Sequence, residues 1–232
     1  MRGATLGSLI LFVVMLATAC SSGGTDQPTD PTVTPTPGRF ATAAAIELDP
    51  APDLPGEYVN LPEIYQDERG LATYGSDGSV PNTAPHVTRD VDYAADGNSN
   101  PPAGGPHWSS GSCGARPGNA PPFCGPAPWG IFREPWVPAT LVHNMEHGGV
   151  IFWYDTQNSA LITELEDLVR SKAEDGDLLV MAPYPEMEDE TIALTSWARI
   201  DKFPVGEYTK ERVEDFLDAH AFRFNPEGFG GF

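Results

Sequence analysis

His143-Asn144-Met145-Glu146-His147-Gly148-Gly149-Val150-Ile151-Phe152-Trp153-Tyr154 joins a histidine-bearing turn to an apolar run. Gly149 to Tyr154 is short, β-branched and aromatic, and reads as a buried strand. Just upstream, Pro138-Ala139-Thr140-Leu141-Val142 predicts one or two helical turns that carry His143 and His147 before Gly148-Gly149 stops them. Downstream, Asn158 or Ser159 can cap a helix whose Leu161, Leu165, Leu168 and Val169 share one face, ending at Gly176. Leu178 to Ala182 reads as a second strand, Pro183 to Glu190 as an acidic loop, and Thr191 to Ile200 as a third strand. Thr209 then caps a last helix with Val213, Phe216 and Leu217 inward. Two strands joined through a helix should be parallel, by a right-handed crossover, with the third returning antiparallel.

Upstream of about Thr140 the chain is loop-rich, punctuated by Pro101-Pro102-Ala103-Gly104-Gly105-Pro106 and Ala120-Pro121-Pro122. Trp108, Trp129 and Trp136 lie there, and buried aromatics would supply apolar area to segments short of regular structure. The expected fold class is therefore α+β (mixed α/β): a loop-rich N-terminal half packed on a β-α-β-β-α C-terminal half. Residues 56–232 have the length of one domain with a single core.

Residues 1–19 read as an export signal, with Arg2 ahead of an apolar stretch from Leu6 to Ala19. That stretch is short of the roughly twenty residues a membrane-spanning helix needs. Leu16-Ala17-Thr18-Ala19-Cys20 resembles a bacterial lipoprotein processing site, although Ala17 stands where a larger aliphatic residue is usual. Lipidation at Cys20 is the expectation; an ordinary cleaved signal or an uncleaved anchor are the alternatives. Residues 20–55, rich in Pro, Thr, Ser and Gly, would then be a tether with little to bury. The implied location is the cell envelope or cell surface, with the lipid as the only membrane attachment. Beyond Cys20 the remaining cysteines are Cys113 and Cys124, an even pair in an exported chain, which reads as one disulfide. Their spacing is not that of a Cys-x-x-Cys redox pair.

Thirteen basic against thirty-three acidic residues disfavour nucleic acid as a partner, since a phosphate backbone would be repelled. The acidic stretches Glu164 to Asp177 and Glu186 to Glu190 read as solvated faces. Asp92, Asp96, Asn98 and Asn100 read as turn-forming side chains sooner than as a calcium loop.

The chain has five histidines, and four of them are candidates for one metal site. On a helix, His143 and His147 would lie on one face, close enough for both imidazoles to reach one ion. His86, in Ala84-Pro85-His86-Val87, and His107, in Gly105-Pro106-His107-Trp108, each follow a proline that limits backbone wandering. They are the partners that would complete the coordination. Imidazole donors favour copper or zinc. Met145 offers a nearby sulfur but points off the histidine face, and Glu146 would fix an imidazole tautomer or serve as a ligand itself. His220, on the apolar face of the last helix, reads as a core histidine. The leading expectation is a carrier that sequesters or delivers the ion, with catalysis left open. His143-x-x-Glu146-His147 also matches a zinc-hydrolase pattern in which Glu146 activates water; Gly148-Gly149 and a strand follow at once, where that chemistry sits inside a long helix. A metal-free envelope interaction module is the third alternative.

Several of these stretches together resemble an uncharacterised, mostly bacterial family catalogued as domain of unknown function 3105. The resemblance rests on Pro101-Pro102-Ala103-Gly104-Gly105-Pro106-His107-Trp108, Trp129-Gly130-Ile131-Phe132 and Leu141 through Val150. Ala182-Pro183-Tyr184-Pro185 and Thr195-Ser196-Trp197-Ala198 add to it. Met145 stands where leucine is common, and Gly104-Gly105 where serine-glycine is usual. The resemblance implies secreted or membrane-tethered proteins and brings no established reaction.

Overall fold

Val150–Asp155, the strand centred on the apolar run, is the middle of a six-stranded mixed sheet in a computed structural model of the chain. Residues 53–65, 86–87, 89–108 and 125–225 are described. The signal, the tether up to residue 52, Cys20, Cys113 and Cys124 lie outside them.

In chain order the strands are β1 (Glu57–Tyr58), β2 (Gly130–Ile131), β3 (Val150–Asp155), β4 (Leu179–Pro183), β5 (Thr191–Ser196) and β6 (Arg199–Pro204). The helices are α1 (Leu61–Ile64), α2 (Tyr93–Asp96), α3 (Pro138–Glu146), α4 (Ser159–Glu174) and α5 (Lys210–His220). The sheet order is β1-β6-β5-β3-β4-β2. Strand β3 pairs parallel with β4 through the α4 crossover and antiparallel with β5. This is the α+β architecture expected, with the caps where the sequence puts them. Asn158 accepts from Leu161 N at the start of α4, and Thr209 from Arg212 N at the start of α5.

One expected strand is in fact two. Thr191 to Ile200 is broken into β5 and β6 by a hairpin at Trp197-Ala198, closed by the pairing Ser196↔Arg199. Neither residue is a usual turn former, and Ala198 takes φ +61°, a left-handed conformation that costs a non-glycine residue about 1–2 kcal/mol. Tertiary hydrogen bonds hold it there: Ala198 N donates to Ala103 O at 2.7 Å, and Ala198 O accepts from Val59 N at 3.0 Å. The turn is thus set by the irregular segments packed on it, which local sequence does not reveal. The C-terminal order becomes β-α-β-β-β-α.

The strands alternate between two cores. Phe152, Met181, Leu194 and Phe203 face Leu165 and Val169 of α4 and Phe216 and Leu217 of α5. Ile151, Trp153, Val180 and Ala182 face the other way, against α3, Leu61, Tyr93 and Trp108. Each fully buried side chain of this size contributes about 1.5–3 kcal/mol over leaving it exposed. Because both faces are covered, the central parallel pair β3 and β4 reads as near-continuous apolar runs with no polar alternation. Trp129 departs from the expectation of burial at 39% exposed. Its ring lies over Gly149, where a Cβ would come within 2.6 Å of it, so the indole covers backbone and turns its other side to solvent. Glu166 is an exception among the acidic residues of α4, buried at 3% exposure and held by Arg133 and Arg170. Among the described residues no helix is long and apolar enough to cross a membrane.

Candidate metal centre

Helix α3 lies buried on the irregular face of the sheet. It begins at Pro138, whose missing N–H costs nothing in a first turn, and Thr140 Oγ1 donates back to Val137 O at 2.7 Å. Its end is set by Gly148 at φ +84°, with Gly148 N donating to Met145 O and Gly149 N to Asn144 O. Asn144 clamps the neighbouring loop, donating from Nδ2 to Ala127 O and accepting from Ala127 N, both at 2.8 Å. Met145 is fully buried in the apolar core.

The loop carrying His107 is held just as firmly. Asn98 Nδ2 donates to Gly104 O at 2.9 Å, Tyr93 Oη to Pro106 O at 2.6 Å, and Trp108 N to Ala139 O at 3.2 Å. Asp92 caps α2, and Asn100 donates to Glu186 O, so the Asp92–Asn100 stretch works as turn structure, as its composition suggested. Gly104 and Gly105 have φ of +132° and +106°, and a Cβ on either would meet Leu61 or Tyr65 at 2.5 Å. Only glycine lets this loop pass so close. His86 joins it through a parallel bridge to His107, in which Val87 N donates to His107 O at 2.8 Å.

These supports bring three imidazoles to one carboxylate. From Glu146 Oε2, Nε2 of His107 is 2.8 Å away, that of His86 3.4 Å and that of His143 4.0 Å. One donor atom from each of the four residues lies within 4.8 Å of every other. Four donors at 2.0–2.1 Å from a tetrahedral ion sit about 3.3 Å from one another. The observed separations bracket that spacing.

Tautomers follow from the other ring nitrogen. His107 Nδ1 donates to Gly105 O at 2.9 Å, and His143 Nδ1 to Trp108 O at 2.6 Å. With Nδ1 carrying the proton, Nε2 of each neutral ring presents a lone pair toward the centre. Burial and the neighbouring His107 push His143 down to about 3, so it is a neutral donor at ordinary pH. Burial likewise lowers His147. His107 and Glu146 are fully buried, and their 2.8 Å contact sets a lone pair against a carboxylate oxygen. That contact requires a positive charge between or beside them, either a proton or a cation.

The placement of the predicted ligands differs in one respect. His86, His107 and His143 are brought together, and Glu146 stands among them as a fourth donor. His147 is outside that set. It is the residue that ends α3, at φ −85° and ψ +15°, and its ring lies beside His143 at 4.7 Å between centroids. The face of α3 turned to the His107 loop is that of positions 143 and 146, an i,i+3 pair. His220 is a core histidine, as expected, with Nε2 bonded to Pro55 O at 2.8 Å.

A family model described as protein of unknown function (DUF3105) matches residues 118–229. Over that span the chain resembles this family. The match includes His143, Glu146 and His147, whereas His86 and His107 lie upstream of it. No curated protein and no solved structure matches the chain.

Proposed function

We propose that this chain, whose resemblance assigns no reaction, is an exported, lipid-anchored protein that binds a divalent transition metal, copper(II) or zinc, for sequestration or delivery. The observation that carries the reading is the convergence of three Nε2 atoms on one oxygen of the fully buried Glu146. A buried carboxylate is costly without a compensating charge, and a metal ion supplies it while taking up three lone pairs. Three imidazoles and a carboxylate suit a divalent ion of borderline hardness. Copper(I) would prefer sulfur, and Met145 belongs to the apolar core. Attachment at Cys20 and location at the envelope rest on the signal-like N-terminus alone.

The position of Glu146 among the rings favours a ligand over a water-activating base. Elemental analysis of the purified mature chain tests the proposal: one zinc or copper per chain is expected, lost in His143→Ala. Equal metal contents in the two proteins, or none in either, would refute it. If Glu146→Gln kept its metal but abolished a hydrolysis shown by the wild type, the hydrolase reading would replace the carrier.

A further inference from the structure

The four donors are unequal in their access to solvent. His107 and Glu146 are fully buried and His143 is 7% exposed at its side chain, whereas the side chain of His86 is 39% exposed. Its ring stands edge-on to His107, with centroids 4.9 Å apart, and 5.2 Å from His143. The inner three donors are fixed by the core, through α3 and the Gly104-Gly105 loop. His86 is tied to that loop by its backbone bridge, and its side chain is the most exposed of the four donors.

Taking the site as the metal centre proposed above, we infer that His86 is the exchangeable ligand, the position at which a partner's donor takes over the ion. His107, His143 and Glu146 form the retaining set. The partner is a carrier or acceptor that offers an imidazole or thiol on an accessible segment. Exchange at such a centre is associative: an incoming nitrogen or sulfur lone pair bonds to the ion as the bond from His86 Nε2 breaks. Metal charge and oxidation state are unchanged. The next donors of the partner then draw the ion outward past the vacated His86, because the other three ligands are backed by core.

Full mature chain of the wild type, His86→Ala and His107→Ala would be loaded with Zn²⁺, washed, and assayed for bound metal. Release to excess 4-(2-pyridylazo)resorcinol would then be followed. The wild type should release zinc at a rate that rises with chelator concentration. His86→Ala should keep close to one zinc per chain and release it about 10–100-fold faster, the scale on which loss of a supporting group alters metal sites. His107→Ala should fail to retain zinc. His86→Gln, which preserves a polar side chain at the surface, should release as fast as His86→Ala and guards against a folding defect. Unchanged release from both His86 variants would overturn the inference. So would zinc loss from them as complete as from His107→Ala, although the metal-binding proposal would then stand. A wild type that takes up neither Zn²⁺ nor Cu²⁺ would bring down both.

Discussion

On one face of the sheet, α4 and α5 lay periodic apolar stripes against Phe152, Met181 and Leu194. On the other, α3 shares the surface with segments 53–65 and 89–108, whose regular elements are the two-residue strand β1 and the four-residue helices α1 and α2. The first face is held by apolar packing between regular elements. The second also has an apolar core, and its loops are pinned in addition by side-chain-to-backbone hydrogen bonds from Asn98, Tyr93 and Asn144 and by glycines that permit close approach. All four donors of the candidate centre belong to the second face. A regular helix supplies ligands only at fixed spacings along one stripe. An irregular loop pinned by hydrogen bonds can bring in a ligand from any direction, and here it brings His107 and His86 onto the stripe of α3.

The sharpest way to break this division of labour is to remove the loop's contribution. His107→Ala should abolish stoichiometric metal binding. It should also destabilise the apo chain by about 3–5 kcal/mol, since Glu146 loses its nearest partner in a fully buried position. Elemental analysis and urea denaturation measure the two effects. Retention of tight binding would mean that His143 and Glu146 of α3, with His86, make the site without His107. Phe216→Ala is the reciprocal experiment on the far face. Loss of this fully buried ring should cost about 3–5 kcal/mol, while the folded fraction still binds metal with unchanged stoichiometry. A fall in stoichiometry would show that the two faces are not independent.

Gly105→Ala should come next in size, at about 2–3 kcal/mol. The new Cβ would sit 2.5 Å from the ring of Tyr65, and the backbone would stay at φ +106°. Because Gly105 O also orients His107, metal affinity should fall together with stability. Thermal denaturation with and without Zn²⁺ separates these effects. At a zinc concentration about a hundredfold above Kd the wild type should gain about 2.7 kcal/mol, and the variant less. A full zinc-induced gain in the variant would show that the loop need not be held as it is.

The same contrast governs what could be read from sequence. On the regular face, Leu161, Leu165, Leu168 and Val169 announce a helix by their spacing, and Asn158 and Thr209 announce where helices begin. The parallel β3–β4 pair follows from the crossover. The hairpin at Trp197-Ala198 was illegible because its strained alanine is held by hydrogen bonds from residues 59 and 103. His86, His107 and His143 could be singled out as scarce residues in constrained settings. That Glu146 and not His147 would join them was not legible from spacing alone. It depends on how α3 is rotated against the loop and on where Gly148 ends the helix. The sequence left Glu146 open as a ligand, in the i,i+3 relation to His143 that the structure uses.

The smallest expected effect concerns a histidine that joins the far face to Pro55. His220 is buried, with Phe216 beside it, and donates from Nε2 to Pro55 O at 2.8 Å. Burial holds it down to about 4 from its ordinary 6.5, opposed in part by the hydrogen bond to Pro55 and assisted by Arg223 and Arg199. The folded state therefore keeps this ring neutral where the unfolded chain has begun to bind a proton. Its contribution to stability is intact above pH 6.5 and declines as the pH falls from 6.5 toward 4, below which both states are protonated. At about pH 5.5 the loss should be about 1 kcal/mol. His143, pushed down to about 3, adds a slope of the same sign, so the comparison must be between wild type and His220→Gln in metal-free buffer. The urea-derived stability of the wild type should fall more than that of His220→Gln between about pH 7.5 and 5.5, by that same ~1 kcal/mol. Equal falls in the two proteins would mean that the ring is protonated without cost in the folded state, and that the far face is less dry than its packing implies.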